Sequence, residues 1–354
     1  MKKLRAAVLG ATGTVGQRIC HMLRDHPWFE VSNLTGGASA GKLYGEAVNW
    51  LLPTSIPEKL VDMSIEPSKP EKVVDADFVF SALPSGVAWE IEPVFAGAGF
   101  AVVSNASAFR MSLDVPLVVP EVNADHIELI EHQRLNRGWD GFLSTDPNCS
   151  TINFVLALKP LYDAFTIKKV IVTTMQAVSG AGYPGVPSLS IIDNVIPYIE
   201  REEEKMQNET QKILGKLKDG AVENAPFDVA AACNRIPVVD GHLETVYIEV
   251  EEEIDLNEAR EKLRNFRGTS KDLELPTAPE KPILVTEEAD RPQTRLDRMA
   301  GSVPGMSVTV GRLRHGIDKR SMQLVVLGHN TIRGAAGATI QLAELLYAKG
   351  WISR

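Results

Sequence analysis

The N-terminal part of the chain alternates short, wholly apolar runs with polar turns and amphipathic stretches. In "LRAAVLGATGTVGQRICHMLRDH" the run from Ala6 to Leu9 is apolar on both faces. Gly10, Gly13 and Gly16 follow at even spacing, and apolar residues then recur at helical intervals. This is the pattern of a strand, a glycine turn and a helix. "WFEVSNLTGG", "ADFVFSALPSG" and "FAVVSNASAFR" repeat the apolar run, each ending in small or polar residues. Strands apolar on both faces and separated by helices predict an α/β fold with a parallel, doubly wound sheet. Ligands of such sheets lie beyond the carboxyl ends of the strands, which puts "SALPSG" and "SNAS" at a binding edge.

The texture changes after Cys149. "KKVIVTTMQAVSG" predicts a longer strand, "EREEEKMQNETQKILGKL" a highly charged helix, and "ETVYIEVEEE" a strand of the half-exposed, alternating type. These elements predict a second domain, of α+β type, whose sheet keeps one face free for packing. In "NRIPVVDGHLETVYIEV" a two-residue turn at Asp240-Gly241 would pair Val239 with His242. Alternation would then set Arg235, Pro237 and Val239 on one face with His242 and Glu244. Residues 266–305, rich in Pro, Thr and charge, predict irregular excursions. "NTIRGAAGATIQLAELLYAKGW" predicts an amphipathic C-terminal helix introduced by small residues.

Composition narrows the function classes. At 354 residues, 44% hydrophobic and 23% charged, the chain has ordinary globular content and the length of about two domains. A net charge of −9 without a basic stripe argues against nucleic acid and anionic membrane as partners, though single arginines can still bind a small anion. Cys20, Cys149 and Cys233 are odd in number and widely spaced. They fit neither a disulfide framework nor a CxxC metal site, and predict a reducing compartment, the cytoplasm. The opening "MKKLRAAVLG" is broken by glycine too early for a signal peptide, and no apolar run reaches the roughly 18 residues of a membrane span.

Candidate chemistry concentrates at Cys149. In "STDPNCSTIN" it follows a Pro-Asn turn and precedes an apolar helical run. A thiol at a helix start feels the unpaired N–H groups, and its pKa is expected to fall, as a nucleophile requires. Ser150 and Thr151 leave an ordinary helix cap as the alternative. A nucleophilic Cys needs a proton-transfer partner, and His242 beside Arg235 is the best placed; a histidine at a hairpin tip facing water is the alternative. Gly10, Gly13 and Gly16 could hold a pyrophosphate at the helix start, or simply make a tight turn. The second strand runs into "GGASAGK" with no acid to meet a ribose hydroxyl, while Ser39 and Lys42 suit a 2′-phosphate or are plain surface residues. Gln176 and the glycine-rich loop after it could hold a reacting carbonyl. Glu209 and Lys212 share a helical face, as many solvated pairs do.

Together "GATGTVGQR", "SALPSG", "SNASAFR", "PNCSTIN", "MQAVSGAG", "NETQKIL", "NRIPVVDGH" and "HNTIRGAAGA" resemble aspartate-semialdehyde dehydrogenase of the archaeal and fungal branch, in order along essentially the whole chain. They also resemble a close relative, archaeal malonyl-CoA reductase. The resemblance implies a Rossmann domain over residues 1–148 completed by a C-terminal helix over 330–354, and a catalytic and dimerisation domain over 149–329. It implies NADPH as reductant, and a homodimer or homotetramer. It further implies NADPH-dependent reductive dephosphorylation of L-aspartyl-4-phosphate through a cysteine thioester, in the biosynthesis of lysine, threonine and methionine.

Carried over, Cys149 is the acyl acceptor, His242 the acid/base and Gln176 the residue that orients the acyl group. Arg235 would hold the substrate carboxylate and Glu209 its amino group. Lys212 and Arg110 resemble the phosphate-binding cations, with Asn105 beside them and Asn148 also in the substrate site. Gly10, Thr12, Gly13, Thr14, Val15, Gly16, the Ser39–Lys42 loop, Ala82, Leu83, Ser85, Ser179, Gly180 and Asn330 fall where the cofactor is held. Reduction of malonyl-CoA or succinyl-CoA is the alternative activity. A non-catalytic NADP-binding sensor is a third reading, against which the presence of both Cys149 and His242 weighs.

Overall fold

The computed structural model describes residues 2–353. The apolar runs of the first half become β1 (Leu4–Leu9), β2 (Phe29–Gly36), β3 (Ile65–Pro67), β4 (Phe78–Ser81), β5 (Ala101–Ser104) and β6 (Phe142–Thr145). They form one parallel sheet in the order β3-β2-β1-β4-β5-β6. The chain order reverses between β1 and β4, which opens a crevice at their carboxyl ends. Gly10 makes the turn out of β1 at φ +73°, and a Cβ there would stand 2.8 Å from the Ala82 carbonyl oxygen. A Cβ at Gly16 would meet the Gly10 carbonyl at 2.3 Å, so helix Thr14–Met22 can lie close on the strand only with glycine there.

The second sheet uses β7 (Ile167–Gln176), β10 (Asp228–Arg235), β11 (His242–Val250), β12 (Ile283–Val285), β13 (Val308–His315) and β14 (Ser321–Gly328), in the order β10-β7-β11-β14-β13-β12. A separate small hairpin pairs β8 (Lys216–Lys218) with β9 (Ala221–Glu223). Helices Cys149–Tyr162, Glu202–Ile213 and Leu256–Asn265 cover one face of the large sheet. Between sheet and helices Ile152, Val155, Leu158, Val172, Ile248 and Leu324 are at most 1% exposed. Each such side chain contributes about 1.5–3 kcal/mol by leaving water. The opposite face is open, with Ile171 45% exposed. Residues 266–305 are largely irregular, as their composition predicts, apart from β12 and two single helical turns.

Two expectations are corrected here. Asp240-Gly241 does not close a hairpin: β10 lies parallel to β7 at the sheet edge, and β11 pairs with β7 and β14 instead. Residues 236–239 leave the sheet to lie on the next loop, where Val178 N–H donates to the Val238 carbonyl and Ser179 N–H to that of Val239. The C-terminal helix is not amphipathic. After a π-helical turn at Ile332–Ala336, helix Gly337–Ala348 is buried on every side from Gly337 to Leu346, packed into the core of the first sheet. Buried Arg333 binds Glu121 through two hydrogen bonds of 3.0 and 2.6 Å, and Gln341 donates to the same carboxylate at 2.8 Å. The chain end is thereby tied to the first half.

Candidate functional site

Helix Cys149–Tyr162 begins directly below the crevice of the first sheet. Asn148 caps it: its Oδ1 accepts from the N–H groups of Ser150 at 2.9 Å and Thr151 at 3.2 Å. Cys149 therefore sits on the first turn with Sγ in a cleft of about 790 Å³. His242, first residue of β11 and fully buried, places Nε2 3.2 Å from Sγ. Its Nδ1 accepts from the Ala177 N–H at 3.1 Å, so the neutral ring carries its proton on Nε2, facing the sulfur.

The register of β7 explains how distant residues meet. Gln176 pairs with Arg235 on one side, and Met175 with Leu243 on the other, so Arg235, Gln176 and His242 end three adjacent strands. This adjacency through β7 replaces the hairpin that the sequence suggests. Arg235 Nη1 donates to the Ala177 carbonyl at 2.7 Å. A Cβ on Gly180 would approach that nitrogen to 2.9 Å, so a larger residue there would push the guanidinium aside. On the far side, a Cβ on Gly334 would stand 2.8 Å from Cys149 Cβ.

Burial dominates the ionisation of the pair. It pushes the Cys149 thiol up to about 12, helped by the charge of Glu202, while Arg235 and Arg110 pull it down. It pushes His242 down to about 3, and Arg235 adds to this. The lowered thiol pKa expected from the helix start is thus overruled by desolvation. The resting pair is neutral, and charge forms on sulfur only as it reacts.

Gly13, Thr14, Val15, Ala82, Leu83, Ser85, Asn105, Arg110, Asn148, Ser179, Gly180, Arg235 and Asn330 line the cleft with Cys149. Gly10 and Gly16 shape the turn from behind, and the Thr12 carbonyl is held by Gln17 Nε2 at 2.8 Å. Ser39 and Lys42 stand off at the end of β2, and no acid occurs from 36 to 42. Helix Thr14–Met22 has no side-chain cap at Gly13, which leaves its first N–H groups to an anion. These residues fit a dinucleotide carrying a 2′-phosphate. Gln176 is buried just behind the cleft, with Nε2 3.2 Å from Thr174 Oγ1.

Two expected substrate contacts take other partners. Both oxygens of buried Glu209 are engaged, one by Arg110 Nη1 at 3.3 Å and one by the Asn148 N–H at 2.7 Å. Lys212 Nζ donates to the carbonyls of Arg110, Ser112 and Val115 at 2.8–2.9 Å and does not line the cleft. It fixes the loop that carries Arg110. Sequence reasoning missed Glu202 and Lys205, which do line the cleft. The available signal was that Glu202 and Glu209 are two helical turns apart and so share a face.

Residues 5–130 match the semialdehyde dehydrogenase NAD-binding domain, and residues 158–333 the semialdehyde dehydrogenase dimerisation domain. The chain belongs to the semialdehyde dehydrogenase family. Within it, the chain is 54% identical to an aspartate-semialdehyde dehydrogenase of Methanothermobacter thermautotrophicus over 97% of its own length and 99% of the relative's. It is also 42% identical to a malonyl CoA reductase (NADP) of Metallosphaera sedula, covering 100% of this chain and 99% of that one. The crystal structure of the Candida albicans aspartate-semialdehyde dehydrogenase with NADP superposes with a TM-score of 0.90 at 42% identity, over 98% of this chain and 99% of that one. Among the described residues there is no cluster suited to a metal ion and no helix long and apolar enough to cross a membrane.

Proposed function

We propose that this protein is an NADP-dependent aspartate-semialdehyde dehydrogenase, interconverting L-aspartyl-4-phosphate and L-aspartate 4-semialdehyde through a thioester on Cys149. The observation that carries the reading is Cys149 Sγ at 3.2 Å from His242 Nε2, in a cleft that runs on to the glycine turn. Sulfur attacks the acyl carbon, the carbon–oxygen bond to phosphate breaks, and phosphate leaves past Arg110 and Lys205. The Asn148 cap uses the Ser150 and Thr151 N–H groups, so we assign the developing oxyanion to the N–H of Cys149 itself. The thiol proton leaves with the phosphate, and His242, whose Nε2–H faces sulfur, donates to the thiolate when it is later expelled. Arg235 receives the substrate carboxylate, and Gln176 steadies the acyl group from behind. NADPH, when bound, supplies the hydride that reduces the thioester; Gly13–Val15 would hold its pyrophosphate, and Ser39 and Lys42 its 2′-phosphate. Loss of the thiol from the resulting thiohemiacetal releases the aldehyde.

The cleft holds acid, Glu202, as well as Arg235, and an α-amino acid offers a charge to each. This favours the amino-acid substrate over malonyl-CoA. We further propose a division into nucleotide-binding residues 1–148 with 330–354 and catalytic residues 149–329, a homodimer or homotetramer joined through the open face of the second sheet, and a cytoplasmic site of action that suits three free cysteines. The test is rapid quench with aspartyl phosphate and intact-mass detection of an acyl adduct. Cys149→Ala should lose the adduct and at least a thousand-fold in turnover. A variant that remains active would refute the covalent route, and efficient malonyl-CoA reduction by the wild type would move the assignment to the alternative substrate.

A further inference from the structure

A second cavity, of about 360 Å³, opens at the opposite edge of the first sheet, where β1 and β2 begin. It shares no residue with the cleft that holds Cys149. The end of helix Thr14–Met22 forms one wall, and residues 55–60 form the other. Buried Cys20, Leu23 and Leu60 make the floor, and half-buried Val31 and Ile56 continue it as an apolar wall. The mouth carries both signs of charge, with Glu30 on β2 and Lys59 on the facing wall. Arg24 is also at the mouth, already paired with Asp25 at 3.1 Å. Concave sites of this size, apolar with a few charged groups, are those that take small molecules. An apolar chain suits this floor, and an ammonium beside a carboxylate suits this mouth.

The walls of the cavity also hold the glycine turn of the nucleotide site. Cys20 lies beside the buried Tyr44 hydroxyl, which donates to the Ala11 carbonyl at 3.0 Å. Gln17, on the same helix as Cys20, donates through Nε2 to the carbonyls of Thr12 at 2.8 Å and Asn49 at 2.9 Å. Its Oε1 accepts from the Leu51 N–H at 2.8 Å. Residues 49–51 lead directly into the wall at 55–60, so one side chain joins that wall to the turn. We propose that this cavity is an effector site for an α-amino acid with an aliphatic side chain, and that its occupation tightens NADPH binding. A ligand shifts an equilibrium only towards the state that it fits better. The open cavity coexists with both carbonyls of the turn held in place, so a ligand that fills it stabilises the turn in that form. By linkage, NADPH must tighten the effector by the same factor.

The experiment is titration calorimetry of L-leucine into the full-length enzyme, with and without NADPH. L-Leucine should bind saturably, and Ser55→Trp at the exposed rim and Ile56→Trp in the wall should each abolish binding. Both variants should keep the wild-type NADPH Kd when no leucine is present, which also shows that they fold. Saturating L-leucine should lower the NADPH Kd of the wild type about five-fold, and NADPH should do the same for leucine. Tyr44→Phe breaks the contact to Ala11, and should keep leucine binding while reducing that factor. Isoamylamine and 4-methylpentanoate each lack one of the two charges, and should bind about ten-fold more weakly than leucine. Absence of leucine binding at about 10 mM, binding that survives both plugged variants, or an unchanged NADPH Kd would overturn the proposal. Equal binding of the singly charged analogues would overturn the amino-acid class. These readouts are equilibrium affinities and need no thioester chemistry, so their outcome is independent of the covalent route.

Discussion

At Cys149 and His242, two neighbouring groups are both held in their uncharged forms by the same cause. Desolvation raises the thiol to about 12 and lowers the imidazole to about 3. Protonated His242 is therefore scarce above pH 4, and the thiolate fraction grows with every rise in pH up to the thiol's pKa. Alkylation of Cys149 by iodoacetamide should accordingly accelerate steadily from pH 6 to pH 10. No inflection is expected near the ordinary histidine value of about 6.5. A plateau beginning near pH 6 would show a pre-formed ion pair instead. The second prediction at this scale concerns Lys42, exposed beyond the acid-free end of β2. Lys42→Ala should weaken NADPH by about 1–2 kcal/mol, roughly ten-fold, and leave NADH nearly unchanged, as read from the two KM values. Both residues were legible in the sequence as chemistry. The direction of the thiol shift was not, because it depends on how deeply the folded chain buries the sulfur.

Between elements, polar contacts under helix Ser85–Gly97 make stability depend on pH. Glu92 on that helix is fully buried, with Oε1 accepting from the Ser104 hydroxyl of β5, and burial raises its pKa from 4.5 to about 7. The folded state thus binds this proton more tightly than the unfolded chain does. The resulting stability is complete below pH 4.5 and is lost as pH rises towards 7, by about 3 kcal/mol. Urea unfolding of Glu92→Gln should show that much less dependence on pH across the interval. Element patterns were where sequence reading did best and also where it failed. Period and apolar runs gave the parallel sheet and the charged helix, since both are local signals. The Asp240-Gly241 pair carries a turn signal, with Gly241 at φ +100°, yet the strand that follows finds its partners in β7 and β14. Pairing is decided by the whole sheet, and no local pattern encodes it. Glu202 was lost among the neighbouring acids of "EREEEK", most of which are solvated.

Across the whole molecule, exposed apolar side chains gather beside β10. Tyr183, Leu189, Ile192, Val195 and Tyr198 are 54–93% exposed, and Ile196 bridges to Arg235 at the sheet edge. A patch of this kind beside an open sheet face marks a contact surface. Ile171→Lys with Tyr198→Glu should convert the oligomer to monomers in sedimentation, with far-ultraviolet circular dichroism unchanged. The succession of a parallel sheet and a second, mixed sheet was legible from the change in texture along the chain. The full burial of the last helix was not, because its small residues look amphipathic until the surrounding core is known. That helix also sets a schedule. The turn bearing Gly334 closes against Cys149, and Arg333 locks onto Glu121 from the far end of the chain. A ribosome has more than half of the polypeptide still to make when it has finished the nucleophile. The seat of the thiol is completed only once residues 333 and 334 have been made, so a nascent chain that stops short of them lacks the turn that closes against Cys149.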